Sequence, residues 1–192
     1  MLHVPEICAD EKYTKDLKCT LEYILSLECD SNGIPSSLLS GHFPTRMNEQ
    51  KPREPLVQWC HGAPGAILLF TKAYHVYGDV RYSQAARRAG EAVWEKGLLT
   101  KGAGLCHGIS GNAYAFLALY RATCDPTWLN RALLFCQFVA SETFKRLSRT
   151  PDRPLSLFEG SCGMVCVLGD ICAALQTTAR EKKNVTFPLI SF

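Results

Sequence analysis

Three features of the sequence predict an all-α fold built from repeated helical hairpins. A Gly-x-x-Gly segment recurs at a shift of 46 residues without a gap, laying Gly62 on Gly108, Gly65 on Gly111, Asp79 on Asp125 and Tyr82 on Trp128. Apolar residues after the first segment keep helical time: Ile67, Phe70, Tyr74 and Tyr77 stand three or four apart, the spacing of an amphipathic helix. Strand-type alternation of apolar and polar residues is nearly absent.

The elements follow in order. "ADEKY" places Asp10 and Tyr13 as Asp79 and Tyr82 are placed in "GDVRY", so the first helix reads as the second half of a repeat, with no Gly-x-x-Gly turn ahead of it. A long connection rich in Pro, Ser and Asn, residues 27–58, leads to the first full unit; loops of that length in a helical domain are commonly functional or mobile. That unit is a helix over "GAPGAILLFTKAYHVYG", a polar turn at Asp79, and a second, Ala-rich helix over "RYSQAARRAGEAVWEKG". The next unit repeats the pattern with "GNAYAFLALYRA" and one helix over "PTWLNRALLFCQFVASETFKRL". In it Asp125 stands as the cap and Pro126 in the first turn. "EGSCG" opens a third copy, with Gly160 and Gly163 in the glycine positions and Glu159 where His61 and His107 stood.

Composition narrows the function. A chain of 192 residues fits one domain, and a net charge of +3 spread thinly along it offers little to nucleic acid. No apolar run approaches the roughly 20 residues of a membrane span. "MLHVPEICAD" lacks the basic start and apolar core of a signal peptide, so a cytoplasmic address is expected. Of the ten cysteines, Cys136, Cys166 and Cys172 lie in apolar helical stretches and are expected as free core residues; a reducing compartment disfavours disulfides.

Cys60 and Cys106 differ, because each stands directly before His-Gly. Adjacent residues on a helix do not share a face, so Cys106 and His107 can meet one ion only from the turn before the helix. Gly108 and Gly111 favour such a turn, and free N–H groups at a helix start favour a thiolate. The glycines are expected to be architectural, since "EGSCG" keeps them without the Cys-His pair. Two zinc sites can be drawn: Cys60, His61, Cys106 and His107 as a closed structural shell, or Cys60, Cys106 and His107 with an open fourth position. Spacing alone does not choose between them.

At "WCHGAPG", "GLCHGISGNAYAFLALY", "RTPD" and "SLFEG", spanning residues 58–163 in order, the chain resembles the LanC-like proteins, eukaryotic relatives of the bacterial lanthionine synthetase cyclases. The resemblance implies an α/α toroid, a double-layered ring of seven helical hairpins with its Gly-x-x-Gly turns gathered at one end around a zinc ion. Residues 1–192 are expected to be the C-terminal part of that single domain, about three and a half hairpins. It implies zinc ligands at Cys60, Cys106 and His107, with His61 a motif residue that is not a ligand. It also implies glutathione contacts at Lys101, Arg149, Thr150, Pro151 and Asp152. The family's chemistry is zinc-assisted addition of a thiol, in these relatives glutathione, to dehydroalanine or dehydrobutyrine in peptides or proteins. Its acid-base histidine lies on a Gly-x-x-Gly turn of which no copy precedes Cys60. Neither His3 nor His42 has that context, so no catalytic residue is assigned and full activity is not expected of these residues alone. Peripheral membrane association of full-length relatives would use segments outside this sequence.

Three other readings compete. One is a zinc- or glutathione-binding regulatory module without turnover; another is a helical scaffold whose glycines only pack helices. A glycosidase on the same kind of barrel would need two carboxylates flanking one bond, for which Asp152 and Glu159 are the only loop carboxylates near the motif turns.

Overall fold

The computed structural model describes residues 1–34, 40–46 and 54–176. Among these residues the regular structure is eight helices and two isolated bridges: α1 (Pro5–Ala9), α2 (Glu11–Ser26), α3 (Ala63–Tyr77), α4 (Val80–Lys96), α5 (Ile109–Thr123), α6 (Pro126–Val139), α7 (Glu142–Leu147) and α8 (Cys162–Gln176). Hairpins α3/α4 and α5/α6 are complete, and α8 follows a third glycine turn. The partner expected for α8 falls among residues 177–192, outside the described ones.

One device starts the second helix of each unit. Asp10, Asp79 and Asp125 accept hydrogen bonds from the backbone N–H groups of Lys12, Arg81 and Thr127, each at 2.9 Å. Each thereby satisfies a donor the helix cannot. The expected single helix after Pro126 is broken in two. Ser141 turns its Oγ to the N–H of Phe144 at 3.1 Å and so starts α7 afresh, while Ala140 closes α6. A serine able to cap competes with continuing the helix, although the apolar period runs through it.

Helices α3, α5 and α8 form a row with α5 in the middle, and α4 and α6 pack against that row. Every residue of α5 from Ile109 to Tyr120 is buried, as a helix enclosed on all sides requires. Four buried alanines of α4, Ala85, Ala86, Ala89 and Ala92, let it lie close to its neighbours. Phe116 anchors the centre, edge-on to Phe135 at 5.0 Å and stacked on Trp128 at 6.1 Å. The all-helical, two-layered arrangement agrees with the expected α/α toroid.

The connection before α3 is tied to the body where it is described. Glu28, its side chain 1% exposed, pairs with Arg88 of α4 at 2.8 Å and accepts the N–H of Gly41 at the same distance. Cys29 and His42 form an antiparallel bridge. His42 is 2% exposed, and its Nδ1 has no hydrogen-bond partner. Burial and Lys96 lower its pKa, while Glu95, Asp30 and Glu54 act the other way. Asn112 of α5 donates to the carbonyls of Val57 at 3.0 Å and Gly97 at 2.9 Å, joining three segments from within the core.

All ten cysteines are free thiols. Cys136 is buried and Cys166 half-buried, but Cys172 is exposed. The expectation of three core cysteines fails there because Cys172 lies on a side of α8 away from Val167, Ile171 and Ala174, which face the core.

Candidate metal centre

The site begins with the glycines. In each of the three turns, both glycines face the carbonyl of the residue six positions earlier. A methyl group added at Gly62, Gly65, Gly108, Gly111, Gly160 or Gly163 would stand 1.9–2.7 Å from that oxygen, inside any tolerable contact. Gly62 also has φ +100°, a region that disfavours residues with a side chain. The pattern holds whether or not Cys-His precedes the glycines, so the glycines shape the turn and leave the chemistry to other residues.

The turns are then laced to one another. The N–H of Cys60 donates to the carbonyl of Cys106 at 3.3 Å, and the N–H of Cys106 donates to the carbonyl of Phe158 at 2.8 Å. Phe158 occupies the register position of the two cysteines, two residues before its Gly-x-x-Gly. Three equivalent residues of successive turns thus stand side by side, and the Trp59 and Phe158 rings approach to 6.1 Å across them. Phe158 is missed when only Cys-His pairs are sought; aligning the third turn on its glycines finds it.

This lacing brings Cys60, Cys106 and His107 together. Their sulfur and ring-nitrogen atoms all lie within 4.8 Å of one another, close enough to hold a metal ion. Cys60 is exposed, whereas Cys106 and His107 are half-buried, so the group opens to solvent on the Cys60 side. Burial pushes the Cys106 thiol up to about 11, with its hydrogen bond to Cys60 and the charge of Glu159 adding to the effect and Lys101 opposing it. The soft donor set fits a thiophilic cation. Ligands of one tetrahedral ion at ordinary bond lengths stand roughly 3.5–4 Å apart, a small closure from the observed spacing.

His61 lies outside that group. Its Nδ1 is 3.2 Å from the Sγ of Cys60. Lys101 is exposed on the loop before Cys106, and its effect on that thiol places its charge near the cluster. The segment carrying Arg149, Thr150, Pro151 and Asp152 runs alongside, since the N–H of Arg149 donates to the carbonyl of Thr100 at 2.8 Å. Arg149, Thr150 and Asp152 are exposed and Pro151 is half-buried. The two loops expected to bind one ligand are therefore neighbours.

Comparison with known proteins bears on the family of the chain. Residues 1–180 match the family model described as lanthionine synthetase C-like protein. A glutathione S-transferase LANCL1 of Danio rerio is 48% identical over 119 residues, covering 62% of this chain and 29% of that protein. The LanC-like protein GCL1 of Arabidopsis thaliana is 38% identical over 181 residues, 92% of this chain and 39% of that protein. The chain thus spans at most 39% of the length of these two relatives. No helix among the described residues is long and apolar enough to cross a membrane. With the family model matched from the first residue through the third glycine turn and α8, and with the helical hairpins it implies in place, the chain belongs to the lanthionine synthetase C-like protein family.

Proposed function

We propose that residues 1–192 form the zinc-bearing C-terminal part of a LanC-like toroid that adds glutathione to dehydroalanine or dehydrobutyrine residues of peptides or proteins. The observation that carries this reading is the convergence of two thiols and an imidazole from successive glycine turns. Cys60, Cys106 and His107 hold the ion and leave a fourth position open, the ligand number of a catalytic zinc site. Zinc there supplies a Lewis acid that keeps an incoming thiol deprotonated at neutral pH.

The rest is the work of side chains around it. Lys101 and Arg149 offer cations to the two carboxylates of glutathione, Arg149 as a bidentate partner. Asp152 offers a carboxylate to its ammonium group, and Thr150 and Pro151 shape the segment between. The reaction joins the glutathione sulfur to the β-carbon of the dehydroamino acid, turns the double bond into a single bond, and delivers a proton to the α-carbon. The LANCL1 relative, named a glutathione S-transferase, supports the choice of thiol.

Elemental analysis of the purified chain tests the metal. About one zinc per chain, lost in Cys60→Ala, Cys106→Ala and His107→Ala, is the expected result; a folded wild-type chain without zinc would sink the proposal. A dehydroalanine peptide incubated with glutathione and the zinc-loaded chain tests the chemistry by mass spectrometry. Zinc with little or no adduct is the result expected of these residues alone, and rapid adduct formation would show that they carry the complete site.

A further inference from the structure

The Cys-His-Gly motif occurs twice, yet its two histidines stand differently. His107 joins the cluster of candidate ligands, while His61 does not. The His61 ring instead turns back on its own neighbour, with Nδ1 3.2 Å from the Sγ of Cys60. Main-chain contacts fix the turn that carries it. The N–H of Gln58 donates to the carbonyl of His61 at 3.0 Å, and the N–H of His61 returns a bond to the carbonyl of Gln58 at 3.1 Å. Gln58 is itself buried, so the turn that carries His61 is anchored from below.

We infer that His61 is a positioning residue that donates a hydrogen bond from Nδ1 to the Cys60 sulfur once that sulfur is a metal-bound thiolate. A bound thiolate carries no proton and can only accept, so the proton of the contact must sit on Nδ1. Cys60 is the exposed member of the cluster, and a donor fixed by the turn holds its thiolate in one orientation, which mobile water does not. Partners of this kind orient metal ligands and typically change metal affinity 10- to 100-fold. One motif therefore supplies a ligand in its second copy and a ligand's hydrogen-bond donor in its first.

The inference rests on the metal reading above, and the test separates the two. Cobalt(II) is titrated into the full chain and into His61→Ala, His61→Asn and His61→Gln, with affinity read by chelator competition and the sulfur-to-cobalt charge-transfer band read by absorption. The main-chain bonds that hold the turn survive all three substitutions, and circular dichroism checks that each variant is folded. His61→Ala is expected to keep one cobalt per chain at roughly tenfold or more lower affinity, with a displaced charge-transfer band. Asn, whose amide nitrogen can stand near the place of Nδ1, is expected to restore both; Gln, whose amide reaches toward the place of Nε2, is not. Unchanged affinity and spectrum in His61→Ala overturn the inference and leave the metal site standing. Failure of Asn to rescue overturns it in favour of a fourth ligand. A wild-type chain that takes no cobalt overturns both readings.

Discussion

Single residues decide whether the glycine turns can exist. At Gly111 an added methyl group would meet the carbonyl oxygen of Leu105 at 2.0 Å and its carbon at 3.0 Å. Both are main-chain atoms of the turn that carries Cys106, and they have nowhere to move without shifting that cysteine. Gly111→Ala is therefore expected to destabilise the chain by about 1–3 kcal/mol or more, the range for overpacking a dense interior, and to weaken metal binding with it. Gly169 provides the contrast, since it sits in the middle of α8 with nothing within 4 Å of an added methyl. Gly169→Ala should stabilise the chain by about 0.5–1 kcal/mol through helix propensity alone. Chemical denaturation of both variants measures the difference, and equal effects would refute the steric account of the turns. The repeat of Gly-x-x-Gly was legible in the sequence, as was its architectural role. The carbonyl six residues back was not, because a sequence shows that glycine recurs and not which atom it faces.

Elements show the same division between local and long-range signals. The three aspartate caps and the helices they start follow from residues a few positions apart. The break at Ser141 also had its local signal, overridden in reading by the apolar run through it. The segment around His42 had none. Its burial depends on Glu28, Arg88 and the end of α4, residues 14 to 54 positions away in sequence. That segment carries a pH dependence. Burial first, then Lys96, lowers the pKa of His42, against the pull of Glu95, Asp30 and Glu54. The unfolded chain, with an ordinary histidine value of about 6.5, then binds more protons than the folded one as pH falls below that value. Stability is therefore fully present above it and declines as pH drops toward the lowered folded value, by at most about 1.4 kcal/mol per pH unit for one proton. His42→Gln should flatten this slope between pH 7 and 5 in denaturant titrations. Parallel slopes for the two proteins would show that His42 does not hold its neutral form in the fold.

At the scale of the whole molecule, the row of α3, α5 and α8 is unevenly covered. Helix α5 is enclosed, whereas α8 exposes Val165 by 68%, Leu168 by 41% and Leu175 by 60%. Apolar side chains clustered on one helix surface promote association. Val165→Lys with Leu175→Lys should reduce self-association of the chain in sedimentation velocity without lowering its zinc content, as neither residue contributes to the metal cluster. Persistence of the association would place the sticky surface elsewhere. The candidate ligands were legible at this scale only through family resemblance, because spacing alone allowed either three or four of them. What separates the histidines is the path of each turn, which depends on how neighbouring hairpins dock.

The hydrogen bond from Cys60 to Cys106 has a kinetic consequence. The two thiols are 46 residues apart along the chain, and the backbone contact that sets their spacing joins hairpins α3/α4 and α5/α6, so it closes a longer loop than the contacts within either hairpin. A site that needs such a contact is expected to be absent from a transition state made of local contacts. Interactions missing from the transition state slow unfolding and leave the folding rate nearly untouched. An ion captured there would act as a latch on the finished stack, lengthening the lifetime of the folded chain without hastening its formation.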